Sequence, residues 1–183
     1  GDWDHPYRTM DPKFEAEEVK VFGKMYEKGY IYRSKKPVYW CAYDETALAE
    51  AEIEYADDPV TTIFVKFKVV DDLGKLAGIA DLANTYFVIW TTTTWTLPGN
   101  EAICLNPDFD YSVFRASNGE IYIMAKDLAE SVLAKAGLTV AETLAVFKGS
   151  ELELMTAKHP LFDKTSLVIN GDHVTLDAGT GCV

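Results

Sequence analysis

Apolar and polar positions alternate along much of this chain, and the alternation predicts a fold built mainly from short strands. Over 61–70, Ile63, Val65, Phe67 and Val69 fall on one face and Lys66 and Lys68 on the other, the period of two of a half-buried strand. The same period over 47–55 sets Glu50, Glu52 and Glu54 against Ala49, Ala51, Ile53 and Tyr55, so a strand is expected there despite the Ala and Glu content. Further strands are expected at 30–32, 38–41, 101–105, 111–116, 120–125, 141–148, 153–158, 167–170 and 173–176. Ser117-Asn118-Gly119 joins two of them as a hairpin turn, because Asn-Gly tolerates the positive φ that such turns require.

The period becomes helical twice. Over 11–28, Asp11 is placed as N-cap with Pro12 in the first helical position, glutamates follow early and Lys24 and Lys28 late, and Phe14, Phe22, Met25 and Tyr26 form one apolar stripe before Gly29. Over 127–136, Asp127 is the expected cap, Leu128, Val132 and Leu133 the buried side and Gly137 the stop. Residues 71–84 read as a polar loop or short helix. Many short strands with two helices predict an α+β, mainly β fold, a closed or nearly closed barrel with peripheral helices. Residues 1–45 read as a connecting segment with a docking helix, and 46–183 as the main domain.

One stretch departs from this regularity. Phe87, Val88, Ile89 and Trp90 form a continuous apolar run, the mark of a buried strand, and Thr91, Thr92, Thr93 and Thr94 follow in an unbroken row. Trp95, Thr96, Leu97 and the breaker pair Pro98-Gly99 come next. Threonine is a good strand former, and a Thr run is commonly one solvated and one half-buried strand face. A core strand that ends in hydroxyls also lays short donor-acceptor groups over its end, which is a way to build a polar pocket.

Composition narrows the classes. With 48% hydrophobic and 25% charged residues, the 183-residue chain is ordinary globular material. No apolar run approaches the roughly 18 residues of a membrane span, and a soluble, cytoplasmic protein is expected. A formal net charge of −12 argues against a broad basic surface for nucleic acid, so any RNA contact should be local. Cys41, Cys104 and Cys182 are odd in number and widely spaced, as expected of reduced thiols. Cys41 and Asp44 do not make a four-ligand set, and no metal is expected.

The string WTTTTWTLPGNEAI resembles the threonine-rich peptide of isoleucyl-tRNA synthetases, a class I aminoacyl-tRNA synthetase family with an insertion in its nucleotide-binding domain. The usual form has proline where Thr94 stands; Thr91, Thr92, Thr93, Trp95, Thr96 and Asn100 match. The valyl and leucyl relatives carry Arg-Pro in that stretch, and this chain does not. A second string, Gly171 to Gly181 with its Gly179-Thr180-Gly181 turn, resembles the same family, as do PVYWC and ALAEAEIEY.

The resemblance implies the barrel-like editing domain of such an enzyme, truncated at its C-terminus. The parent would ligate isoleucine to its tRNA with ATP and Mg, neither of which this fragment would hold, since His-Ile-Gly-His-like and Lys-Met-Ser-Lys-Ser-like strings are missing. One methylene separates isoleucine from valine and is worth only about 1–3 kcal/mol in an apolar pocket, a figure established on this enzyme class itself. A second site therefore hydrolyses valine esterified to the tRNA 3′ end. In the family, the residues matching Thr91, Thr92, Thr93, Trp95, Thr96, Asn100, Gly179, Thr180 and Gly181 bind substrate. Thr92 and Thr93 would position water and carbonyl, since threonine hydroxyls are poor bases. The family's closing His and Asp would follow this chain's last residue, so the fragment alone is expected to be a weak or inactive deacylase. The expected partners are the tRNA end and the parent's catalytic domain, which would cover Trp3 and Tyr7. His173 and Asp177 would share a face if 173–177 were a strand, giving either a base with its orienter or simply a polar strand end at the rim; His159 reads as a turn residue. A non-catalytic barrel that binds a nucleotide or RNA 3′ end is the competing expectation.

Overall fold

A computed structural model describes all of residues 1–183. The chain forms two compact units, Gly1–Asp57 and Asp58–Val183.

The first unit carries α1 (Pro12–Glu27), with Asp11 in the N-cap position and Pro12 first in the helix as expected, although the Asp11 carboxylate pairs with Arg8 and caps no helix N–H. Gly29, at φ +76°, turns the chain out of the helix, with the Tyr30 N–H donating to the Met25 carbonyl at 3.1 Å. A two-stranded antiparallel ribbon follows, β1 (Tyr39–Cys41) against β2 (Thr46–Leu48). The strand expected over 47–55 stops at Leu48: the Glu52 carboxylate accepts the Ala49 N–H at 2.7 Å and closes a 3₁₀ turn over Glu50–Glu52. A local side-chain acceptor has outcompeted a ladder that has no third strand to join. Residues 30–32 form no strand either. No residue of this unit is fully buried, and the α1 stripe is open.

The second unit is one eight-stranded sheet with a single helix. Its strands are β3 (Ile63–Asp71), β4 (Thr85–Thr91), β5 (Ala102–Leu105), β6 (Asp110–Ala116), β7 (Ile121–Ala125), β8 (Val140–Lys148), β9 (Thr156–Lys158) and β10 (Thr165–Asn170). Their order is β5-β10-β9-β3-β4-β7-β6-β8. The pairs β4/β7 and β5/β10 are parallel, and the others are antiparallel. The mainly β class with few helices is as expected, but the barrel does not close. Edge strands β5 and β8 never pair, and β5 is instead covered by the last residues: the Cys104 N–H donates to the Val183 carbonyl at 2.7 Å and the Val183 N–H returns to the Cys104 carbonyl at 3.0 Å.

Inward side chains of the central strands form the core, with Phe67, Phe87, Tyr111, Val113, Phe114 and Ile123 wholly covered. Each contributes on the order of 1.5–3 kcal/mol relative to exposure. The helix α2 (Lys126–Lys135) leaves β7 without a loop, so its N-cap is Ala125, and the expected cap Asp127 sits in the first turn. Two other expected strands are shortened or lost. Only Thr156–Lys158 of 153–158 joins the sheet, and 173–176 is a turn, begun by the Val174 N–H donating to the Gly171 carbonyl at 3.3 Å. No helix is long and apolar enough to cross a membrane.

Candidate functional site

Strand β4 runs through the core and ends at Thr91, where the chain turns on its own hydroxyls. Thr91 Oγ1 accepts the Thr93 N–H at 2.9 Å, pulling the backbone out of the sheet. The Thr93 carbonyl then accepts both the Thr96 N–H at 3.1 Å and the Thr96 hydroxyl at 2.7 Å, starting a 3₁₀ segment over Thr94–Gly99. Thr91 Oγ1 and Thr96 Oγ1 are thereby engaged by the fold, whereas Thr92 and Thr93 share a hydroxyl contact at 3.3 Å.

The Gly179-Thr180-Gly181 turn lies across from this strand end. Two glycines are required for it: Gly179, at φ +77°, brings its backbone so close that a Cβ would lie 3.0 Å from Trp90 Cε3, and at Gly181, at φ +71°, a Cβ would collide with that of Ala125. Thr180 is buried and its carbonyl accepts the Ala125 N–H at 2.9 Å, fastening the turn to the end of β7. Tyr111 donates its hydroxyl to the Gly181 carbonyl at 2.6 Å and accepts the Asn106 N–H at 2.9 Å. Burial pushes the Tyr111 phenol well above its ordinary range, so it stays a donor.

Between these walls is a cleft of about 330 Å³. Trp90, Thr91 and Thr92 line one side, and His173, Asp177 and the glycine turn the other. Of the residues singled out in the sequence, Thr91, Thr92, Gly179, Thr180 and Gly181 thus meet at one cavity. Thr93 and Thr96 do not line the cleft, although the Thr93 hydroxyl lies 3.3 Å from that of Thr92, and Trp95 is 75% exposed on the 3₁₀ segment. Asn100 is turned to structural use: its Oδ1 accepts the Ser166 hydroxyl at 2.6 Å and its Nδ2 donates to the Ala102 carbonyl at 2.9 Å. His173 and Asp177 do not share a strand face, because their segment is a turn, yet both reach the cleft. Trp90 gives the cleft its apolar wall, and its place at the end of an apolar run next to the hydroxyl row is the signal that points to it. The arrangement offers hydroxyl, imidazole, carboxylate and backbone groups around a small hollow, enough to hold a polar ester and a water molecule.

A family profile described as tRNA synthetases class I (I, L, M and V) matches residues 1–149. This chain belongs to that family of class I tRNA synthetases. It is 60% identical over its whole length to an isoleucine–tRNA ligase of Thermoanaerobacter sp. (strain X514), of which it covers 20%. It is 56% identical, again over its whole length, to the isoleucine–tRNA ligase of Caldicellulosiruptor saccharolyticus, of which it also covers 20%. The chain thus spans about a fifth of the length of the curated relatives it matches. Among solved structures it resembles the leucyl-tRNA synthetase editing domain of P. knowlesi, with a TM-score of 0.56 and 16% identity, covering 67% of this chain and 55% of that one. The structure described as GlLeuRS-CP1 aligns with a TM-score of 0.52 and 20% identity, covering 67% and 52%. The fold of this synthetase chain is that of an editing domain.

Proposed function

We propose that these residues form the editing domain of an isoleucine–tRNA ligase, and that the cleft between Thr92 and the Gly179-Thr180-Gly181 turn takes the aminoacyl end of tRNA mischarged with valine. One observation carries the reading: two sequence strings more than seventy residues apart meet at a single cavity of about 330 Å³. The chemistry required is hydrolysis of an ester whose side chain is one methylene smaller than the cognate one, so the hollow must be small and its polar groups fixed.

In this reading Thr92 and Thr93 position the water and the ester carbonyl, Thr92 from the cleft wall and Thr93 through its hydroxyl contact with Thr92, and neither abstracts a proton. ATP and Mg belong to the ligation step in the parent's catalytic domain, and that domain is also the partner we assign to the open α1 stripe and to Trp3 and Tyr7. The tRNA contact is local, in keeping with a net charge of −12.

The test is made in the full-length ligase that carries this segment. Thr92→Val keeps the branched shape and removes the hydroxyl, and hydrolysis of valyl-tRNA for isoleucine should fall about tenfold to a hundredfold while charging with isoleucine continues. Hydrolysis at the unaltered rate would remove Thr92 from the chemistry. Binding of a valyl-adenosine analogue by an enzyme that leaves the ester intact would favour a non-catalytic RNA-end site.

A further inference from the structure

His159 stands at the start of the β9–β10 connection, before Pro160, and it is 2% exposed. Its Nδ1 lies 3.1 Å from both the Leu161 and the Phe162 backbone nitrogens. Both are N–H donors, so Nδ1 presents its lone pair and the ring hydrogen sits on Nε2. Nε2 lies 2.8 Å from the Leu97 carbonyl, sixty-two residues away in the chain, and donates to it. The ring is held from two sides, edge-on to Phe67 at a centroid distance of 6.1 Å and tilted against Phe162 at 5.4 Å.

Leu97 is buried in the 3₁₀ segment that carries the chain away from the threonine row. Its carbonyl also accepts the Asn100 N–H at 3.0 Å. The same β9–β10 hairpin reaches this segment a second time through Ser166, whose hydroxyl donates to Asn100 Oδ1. The return of the threonine-rich peptide is therefore fastened to a neighbouring hairpin, and the histidine supplies the buried bond of the pair.

We propose that His159 is a positioning residue for the threonine wall: its Nε2–H holds the Leu97 carbonyl, and through that peptide it fixes where Thr92 stands against the cleft, with the Thr93 hydroxyl beside it. This rests on the hydrolytic reading above. The ring itself does not line the cleft, and its role is to keep the reacting geometry within the narrow tolerance that positional catalysis demands.

The side-chain chemistry supplies its own controls. His159→Gln places an amide N–H near the position of Nε2 and can donate to Leu97, whereas His159→Asn offers an acceptor near Nδ1 but cannot reach Leu97. His159→Phe keeps the packing against Phe67 and Phe162 and loses all three hydrogen bonds. In the full-length ligase, the Phe and Asn variants should lose about tenfold or more in kcat for hydrolysis of valyl-tRNA with KM little changed, and Gln should recover most of it. Hydrogen exchange gives a second readout that needs no chemistry. The Thr96 and Asn100 amides should exchange several-fold faster in the Phe and Asn variants than in wild type or Gln.

Asn rescuing as well as Gln would overturn the proposal, because the 159–162 turn and not Leu97 would then be what matters. So would wild-type exchange and kcat in all three variants, or a change confined to KM. If the wild-type ligase leaves valyl-tRNA intact, the hydrolytic reading fails, and exchange at Thr96 and Asn100 still decides whether His159 holds the wall.

Discussion

In the first unit Phe22, Tyr26, Trp40 and Tyr43 stand 59%, 65%, 60% and 94% exposed, whereas Phe67, Phe87, Tyr111 and Phe114 of the second are completely covered. Both units are rich in aromatic side chains, so apolar content does not separate them. What differs is long-range pairing. The three-residue strands β1 and β2 have only each other, and a lone hairpin of that size is marginal in water. The second unit pairs β3 on both sides, with β4 and β9, and β4 in turn with β7, so side chains on those strands acquire neighbours from distant parts of the chain. The helix α1 has proline in its first turn and a glycine turn after it, yet such end signals contribute little where no apolar face is covered.

The largest expected effect sets the same residue type in the two surroundings. Phe87→Ala should lower the unfolding free energy of the second unit by about 3–5 kcal/mol, through lost transfer energy and the cavity left in the sheet. Phe22→Ala should stay within about 0.5 kcal/mol. Urea unfolding of the two variants measures both, and equal losses would break the comparison. On the reading proposed above, repeating Phe22→Ala in a full-length ligase sharpens it: a cost of about 1 kcal/mol or more there would show that the rest of such a protein covers the stripe.

A smaller effect probes the seam where the open sheet is stitched. Gly181→Ala forces an L side chain to φ +71° and drives its Cβ into Ala125, so it should destabilise the second unit by about 1–3 kcal/mol. Gly179→Ala should cost less, because its Cβ would stop 3.0 Å from the edge of the Trp90 indole. Thermal unfolding of the pair gives the order, and a harmless Gly181→Ala would show that the turn is not held against β7.

The residues that sequence could reveal are those whose environment is local. The period-two face of β3, the Asn118-Gly119 hairpin and the Asp11-Pro12 start of α1 depend on neighbours within a few positions, and each stands in the structure. The threonine row and the glycine turn are legible as strings; that they share a cleft depends on the whole sheet. Barrel closure is not legible in the sequence, because it depends on whether β5 meets β8, a nonlocal pairing that strand patterns do not encode, and in the structure they do not meet. The strand expected at 173–176 failed for a related reason: Asn106, sixty-eight residues upstream, donates its side-chain amide to the Val174 carbonyl and takes that group out of any ladder. His159 is legible as a turn residue, and its Nδ1 does accept the Leu161 and Phe162 N–H groups of that turn, but its bond to the Leu97 carbonyl is not legible, because a carbonyl has no residue type to read.

The smallest expected effect concerns Thr94, where the family string has proline. Thr94 occupies the first position of the 3₁₀ segment, and the preceding Thr93 has non-helical dihedrals of φ −115° and ψ 67°. A first helical position suits proline, whose ring presets φ and whose missing N–H is one that a helix start leaves unpaired. Thr94→Pro should therefore be accepted without disturbing the Thr96-to-Thr93 bond that starts the turn. It should raise stability by about 0.4–1 kcal/mol by restricting the unfolded chain. Denaturation midpoints of the second unit measure the gain. A loss in its place would mean that the threonine at this position holds a backbone geometry that proline cannot adopt, and that the wall of the cleft in this chain differs from that of relatives carrying the proline.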